Sequence, residues 1–219
     1  MPAISRYQTQ IFLFILCFSA TAQEKDSIIV RNNLEISNDT TFVNLKNYSN
    51  AFIYDLKYAT EDNFLKETVY DCAECYLRYK TVKALIIASE RFVKDGFQIK
   101  LFDCYRSLDV QKKMWEIVNN PSYVANPKTG SVHNRGKAVD LTLVDAEGNE
   151  LDMGTAFDFF GPKAGHNYKR LSKKVLKNRL YLKTIMIESG FAPLASEWWH
   201  YNLNDGITDP VANFNWNCN

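Results

Sequence analysis

From Thr81 onward, apolar side chains at Val82, Leu85, Ile86, Phe92 and Val93 fall on one face at helical spacing, and Gly96 follows as a stop. No other segment restricts the fold so tightly, because an amphipathic helix must lay that face on something. The residues that follow offer a partner. Phe97 to Tyr105 reads as a strand, and Ser107 is placed to cap a second helix that runs until Asn119-Asn120-Pro121.

The same reading predicts a further strand from Ala138 to Val144, a turn at Glu147-Gly148-Asn149, and a basic amphipathic helix over roughly Tyr168 to Ser189, ended by Gly190. A last strand contains Trp199 to Leu203. Helices and short strands are mixed without a regular β-α-β alternation, which predicts an α+β fold, a single domain whose small antiparallel sheet is flanked by helices. At this length one sizeable core is expected, and 14% aromatic residues supply large side chains to fill it. The catalytic domain is expected to start near Ala51. Residues 23–50 are polar, with Asn32-Asn33 and Asn38-Asp39-Thr40-Thr41 and no helical period, and read as a leader or linker.

At the amino terminus Arg6 precedes an apolar run from Ile11 to Phe18, which leads into Ala20-Thr21-Ala22. That is the pattern of a signal peptide over residues 1–22, and the run is about half the ~20 residues a bilayer span needs. The expected protein is exported, periplasmic and without a stable membrane anchor. Cys17 does not suggest lipidation, since Leu16 stands where a small side chain belongs. Cleavage after Ala22 removes Arg6 and no other charge, so 26 basic and 25 acidic residues become 25 of each. A formally neutral chain has no excess to neutralise phosphates, which argues against nucleic acid or a membrane surface as partner and for a small substrate.

Four cysteines remain after cleavage: Cys72, Cys75, Cys104 and Cys218. Export permits disulfides, and four cysteines allow three pairings between which the sequence does not choose. The Cys72-x-x-Cys75 spacing also admits a zinc knuckle or a redox pair, but no second close pair accompanies it.

The chemistry concentrates around two of the chain's three histidines. One segment is Ser131-Val132-His133-Asn134-Arg135-Gly136-Lys137-Ala138-Val139-Asp140, the other Glu197-Trp198-Trp199-His200. Two imidazoles and one carboxylate suffice to hold a catalytic zinc with a fourth position open, and Glu197 is left over as a candidate base. The gap from His133 to Asp140 fits no helical face, but Gly136 lets the chain fold back so that the side chains converge. Taken singly, each residue has a plainer reading: a histidine satisfied in core or surface, an aspartate that caps or solvates, an Arg106 ion-paired at a strand end, an Asp158 capping a turn. Trp198 and Trp199 read as core packing.

Together, S-x-H-x-x-G-x-A-x-D followed by E-W-W-H resembles the signature of the M15 zinc peptidases, in particular the D-alanyl-D-alanine dipeptidases of the vancomycin-resistance type. Asp55-Leu56-Lys57-Tyr58-Ala59-Thr60 with Asn63-Phe64, Asp103-Cys104-Tyr105-Arg106, and Met153-Gly154-Thr155-Ala156-Phe157-Asp158 resemble dipeptidase blocks in the same order. The likeness covers about residues 51–203. It implies a fold similar to the D,D-peptidase/hedgehog zinc fold, one Zn²⁺ held by His133, Asp140 and His200, Glu197 as catalytic carboxylate, Arg106 stabilising the transition state, and substrate contacts from Tyr58, Ser131 and Asp158. The implied substrate is a free dipeptide. Ser107 replaces the proline usual after the arginine, and His166 alone represents a commonly doubled histidine. The nearer rival is a D,D- or L,D-carboxypeptidase or endopeptidase acting on wall peptides. A noncatalytic zinc-stabilised binding domain is the more distant one, and an intact Glu197 argues against it.

Overall fold

The structure, a computed structural model, describes residues 37–218. The expected signal peptide and most of the polar stretch after it lie outside the described residues. Packed structure begins before Ala51. Strand β1 (Phe42–Asn44) pairs antiparallel with β3 (Tyr76–Arg78), and Leu45 just after it is fully buried in the core. Burying one such side chain contributes about 1.5–3 kcal/mol, enough to tie down a segment whose flanks at Asn38–Thr41 and Asn47–Asn50 are polar.

Helix α1 (Tyr79–Lys94) is the one expected, begun two residues earlier than Thr81. Val82, Leu85, Ile86 and Phe92 are buried, whereas Val93 is half exposed. Strand β4 (Gln98–Asp103) follows, then α2 (Leu108–Ile117), whose first turn is capped by Ser107 Oγ accepting from the Val110 amide at 3.2 Å. Strand β5 (Ala138–Val144) has the predicted bounds and is buried at every position. Helix α3 (Lys173–Glu188) starts later than Tyr168, because the capping side chain is Ser172. Among the described residues no helix is long and apolar enough to cross a membrane.

The main sheet has five strands in the order β2 (Phe52–Tyr54), β4, β5, β7 (His200–Leu203) and β6 (Phe191–Pro193). It is antiparallel except where β2 runs parallel to β4. The fold is α+β in one domain, as expected, with α1 and α3 packed together and against the sheet. Trp198 and Trp199 are buried in that core.

Register places the chemistry. Asp103 at the end of β4 is level with Asp140 on β5, and Asp140 is level with His200 on β7. Three neighbouring strands thus bring three polar side chains to one end of the sheet. A shift in pairing between Leu101 and Asp103 marks a bulge there, the kind of irregularity that re-aims a side chain beside a site.

Candidate metal centre and active-site cleft

His133 is delivered by a short 3₁₀ turn, His133–Arg135, that ends on Gly136 in the left-handed region at φ 66°. Gly136 is required for a second reason. A Cβ there would meet the Phe42 ring at 2.2 Å, so the backbone can double back toward β5 only without a side chain. Ser131 Oγ accepts from the His133 amide at 3.0 Å and fixes the start of the turn.

The donor atoms of His133, Asp140 and His200 all lie within 4.8 Å of one another, and the three residues are buried. His133 Nδ1 meets the Cys104 carbonyl at 2.6 Å; a carbonyl only accepts, so Nδ1 carries the proton and Nε2 keeps its lone pair. His200 Nε2 donates to Asn202 Oδ1 at 2.8 Å, so in the neutral ring Nδ1 is bare in the same way. The two lone pairs then face each other across 3.2 Å, with Asp140 Oδ1 2.9 Å from one and Oδ2 3.4 Å from the other. Such a group repels itself unless a proton or a metal cation lies between its members. Bonds of ~2.0–2.1 Å at tetrahedral angles put adjacent donors roughly 3.3 Å apart, and the three separations fall around that value. The residues fit a metal ion.

Glu197 stands beside this group, Oε2 3.9 Å from His200 Nδ1. Burial raises its carboxyl above the usual value, partly offset by His200. Arg106 is buried, its Nη2 on Asp103 Oδ2 and its Nη1 on Gln111 Oε1 at 3.1 Å, with the guanidinium 5.1 Å from the Tyr58 ring centroid. Its Nε is buried without a partner, a donor held in reserve.

Asp158 adopts φ 55°, a left-handed conformation that costs an L-residue roughly 1–2 kcal/mol. Tyr58 Oη donates to its Oδ2 at 2.8 Å. Burial and the Asp158 charge push the Tyr58 hydroxyl well above an ordinary phenol, so it remains a donor. Burial, reinforced by Asp140, raises the Asp158 carboxyl, and a cation arriving there would relieve it.

All eight sequence-predicted residues line one cleft of 760 Å³: Tyr58, Arg106, Ser131 and His133 on one side of the sequence, Asp140, Asp158, Glu197 and His200 on the other. His166 lies outside that lining, partly buried, its ring centroid 6.2 Å from that of Tyr201 and its imidazole lowered to about 4 by burial. Sequence reasoning missed the groups that hold the site from behind, namely Asp103, Asn202, Gln111 and the Cys104 carbonyl. Asp103 stood inside a block already singled out; a backbone carbonyl leaves no mark in sequence.

Two disulfides, Cys72–Cys218 and Cys75–Cys104, resolve the cysteine question. The Cys72-x-x-Cys75 pair is neither a knuckle nor a redox couple, since each member is joined to a distant partner.

Among curated proteins the chain is similar to the D-alanyl-D-alanine dipeptidase of Escherichia coli K12, 35% identical over 75% of this chain and 85% of the relative. The enzymes of that name from Enterococcus faecium and Streptomyces coelicolor are 32% and 34% identical, each over 69% of this chain and 86% of theirs. Among solved structures, the LdcB LD-carboxypeptidase is 19% identical with a TM-score of 0.41, over 77% of this chain and 70% of that one. The family profile described as D-ala-D-ala dipeptidase, Peptidase_M15, matches residues 38–216. That span takes in every residue drawn into the cleft, and it makes the chain a metallopeptidase of the M15 D-Ala-D-Ala dipeptidase family.

Proposed function

We propose that this protein hydrolyses D-alanyl-D-alanine or a closely similar dipeptide, using one zinc ion held by His133, Asp140 and His200. The observation that carries the reading is the pairing, in one cleft, of a three-donor metal site flanked by Glu197 with a further carboxylate, Asp158. The chemistry supplied by zinc held there is Lewis acidity, which polarises a carbonyl oxygen and lowers the pKa of a water toward about 7. Glu197 takes the proton of the attacking water and returns it to the leaving amine. Its raised carboxyl suits both halves of that task. Arg106, permanently charged and aimed by Asp103, offers directed donors to the oxygen that gains charge as the carbonyl becomes tetrahedral. Asp158, held by Tyr58, receives the substrate ammonium, and Ser131 contacts the substrate near the metal-bearing turn.

Export to the periplasm belongs to the same proposal. The leader at residues 1–22 supports it, and so do two disulfides, which persist in oxidising compartments. The cleft, at 760 Å³, is in the range that holds drug-sized ligands, which keeps a D,D-carboxypeptidase acting on wall peptides as the second reading. A panel of D-Ala-D-Ala, L-Ala-L-Ala and a D-Ala-D-Ala-terminated tripeptide, run with and without chelator, separates the two. Dipeptide turnover that is chelator-sensitive and D-specific is the expected result; cleavage of the tripeptide alone transfers the assignment to the carboxypeptidase.

A further inference from the structure

Beside the catalytic cleft lies a second hollow of 330 Å³ that shares Ser122, Tyr123, Phe160, Ser196 and Glu197 with it and adds the ring of Phe159. Its wall is built rather than incidental. Tyr123 and Phe160 are stacked with centroids 4.2 Å apart, and Phe64 abuts Phe160 edge-on at 4.8 Å. A Cβ on Gly161 would come within 2.9 Å of the Phe159 ring, so glycine there lets that ring lie against the backbone. Tyr123 and Phe159 are each 44% exposed, which is costly for large rings and leaves them surface to bury.

The chemistry of the cleft fixes which end of a substrate faces this annex. The amino end lies at Asp158 and Tyr58, neither of which borders it. On the dipeptidase reading the carbonyl is turned toward the metal donors and Arg106, which do not border the annex either. Of the eight site residues only Glu197 does, and Glu197 is the group that hands a proton to the leaving amine. The residue C-terminal to the scissile bond therefore sits at the annex mouth.

We infer that the annex is a subsite for a large apolar side chain on that C-terminal residue, so that dipeptides of the form D-Ala-D-Xaa with Xaa aromatic or branched aliphatic are substrates of choice. The inference rests on the dipeptidase reading above and specifies its substrate class. A cavity of roughly 150 Å³ holds a benzene ring, so one aromatic side chain fits with room left. Glu197 at the mouth disfavours an acidic side chain by like charge.

The test pairs binding with turnover on the zinc-loaded protein. D-phenylalanine, titrated calorimetrically, should bind at least about tenfold more tightly than D-alanine, the order expected when an apolar pocket takes up several extra carbons. D-Ala-D-Phe should have a higher kcat/KM than both D-Ala-D-Ala and D-Phe-D-Ala, and D-Ala-D-Glu the lowest. Phe159→Ala, at an exposed position whose truncation leaves the core intact, should reduce the D-Phe over D-Ala preference about tenfold in both assays. Equal binding of D-Phe and D-Ala, a preference for D-Phe-D-Ala, or an unaltered preference in Phe159→Ala overturns the inference. Failure of the underlying reading looks different: D-Ala-D-Ala is then not cleaved at all, while the D-Phe titration still decides whether the annex takes an aromatic side chain.

Discussion

Arg106 and Asp103, three residues apart at the end of β4, form a buried ion pair between Nη2 and Oδ2. The same carboxylate accepts from Tyr70 Oη at 2.6 Å and from the Cys104 amide at 2.9 Å, and its Oδ2 lies 3.5 Å from His133 Nδ1. One side chain therefore braces both the arginine and a metal ligand. A structural ion pair and a catalytic role do not compete at Arg106, because a guanidinium has five donors and the pair engages only part of them.

Arg106→Ala is accordingly expected to lower kcat by about 10²–10³-fold, as loss of one oxyanion donor does, while the metal stays bound. Asp103→Asn keeps the shape and the acceptor for Tyr70 but strands a buried positive charge, at about 3–5 kcal/mol of stability. Turnover with metal analysis checks the first and urea unfolding the second. An Arg106→Ala enzyme with near-normal kcat would reduce the residue to a strut.

His200→Ala removes one of three donors together with the hydrogen bond to Asn202. Zinc and activity should be lost in step, with the remaining His133 and Asp140 too few to hold the ion against a mild chelator. Elemental analysis showing a full equivalent of zinc in this variant would count against the assigned ligand set.

The Cys75–Cys104 bond ties β3 to the residue whose carbonyl orients His133, across a separation of 29 residues. Replacing both cysteines by alanine should cost roughly 3–4 kcal/mol if closure entropy dominates, and it should lower metal affinity as well, because the carbonyl is less firmly placed. Thermal unfolding and zinc titration with and without reductant measure the two effects. Reductant that lowers the melting temperature without changing zinc affinity would confine this disulfide to stability.

The carboxylate of Asp205 is bound by Lys137, two residues before Val139 in β5, and by Lys80 on α1 at 2.7 Å. Partial burial alone would raise it, but the two ammonium groups outweigh burial and hold it well below the ordinary range. A depressed folded-state carboxyl stabilises the fold above its unfolded pKa, about 3.9, and that contribution disappears as pH falls through the folded value. Asp205→Asn should therefore destabilise the protein at pH 7, with the difference from wild type shrinking below about pH 4. Unfolding free energies at pH 7, 5 and 3 test the trend; a constant difference rules out charge linkage.

How much of this was readable beforehand depends on length and on backbone. Helices α1, α2 and α3 and strand β5 carry enough residues to show a period or an unbroken apolar run, and they lie where the sequence places them. Strands β1, β2, β3 and β6 have three residues each, too few to display alternation, and exist because a neighbour pairs with them. In the site, the side chains expected to do chemistry lie in one cleft, since their types and spacing are constrained by that chemistry. The Cys104 carbonyl, the pairing of the cysteines and the aromatic annex depend on which strands meet, and only the folded chain shows that.

Asp158 sets the last expectation, because it occupies a left-handed backbone position, is gripped by Tyr58, and lines the cleft that also holds the metal donors. A free ammonium beside it gains a charge-assisted hydrogen bond and favours the ionised form of its raised carboxyl. An acetylated amine offers no charge and adds bulk at the same place, so N-acetyl-D-Ala-D-Ala should be cleaved far more slowly than D-Ala-D-Ala. Asp158→Asn keeps the volume and the contact with Tyr58 but removes the negative charge. It should therefore weaken the free dipeptide more than the acetylated one and narrow the gap between them. The quantity to follow is the ratio of kcat/KM for the two substrates in each enzyme, which cancels differences in active fraction. If the wild type cleaves the acetylated substrate as well as the free one, recognition of the amino end is not the source of specificity, and the open-ended carboxypeptidase reading takes its place with the metal site unchanged.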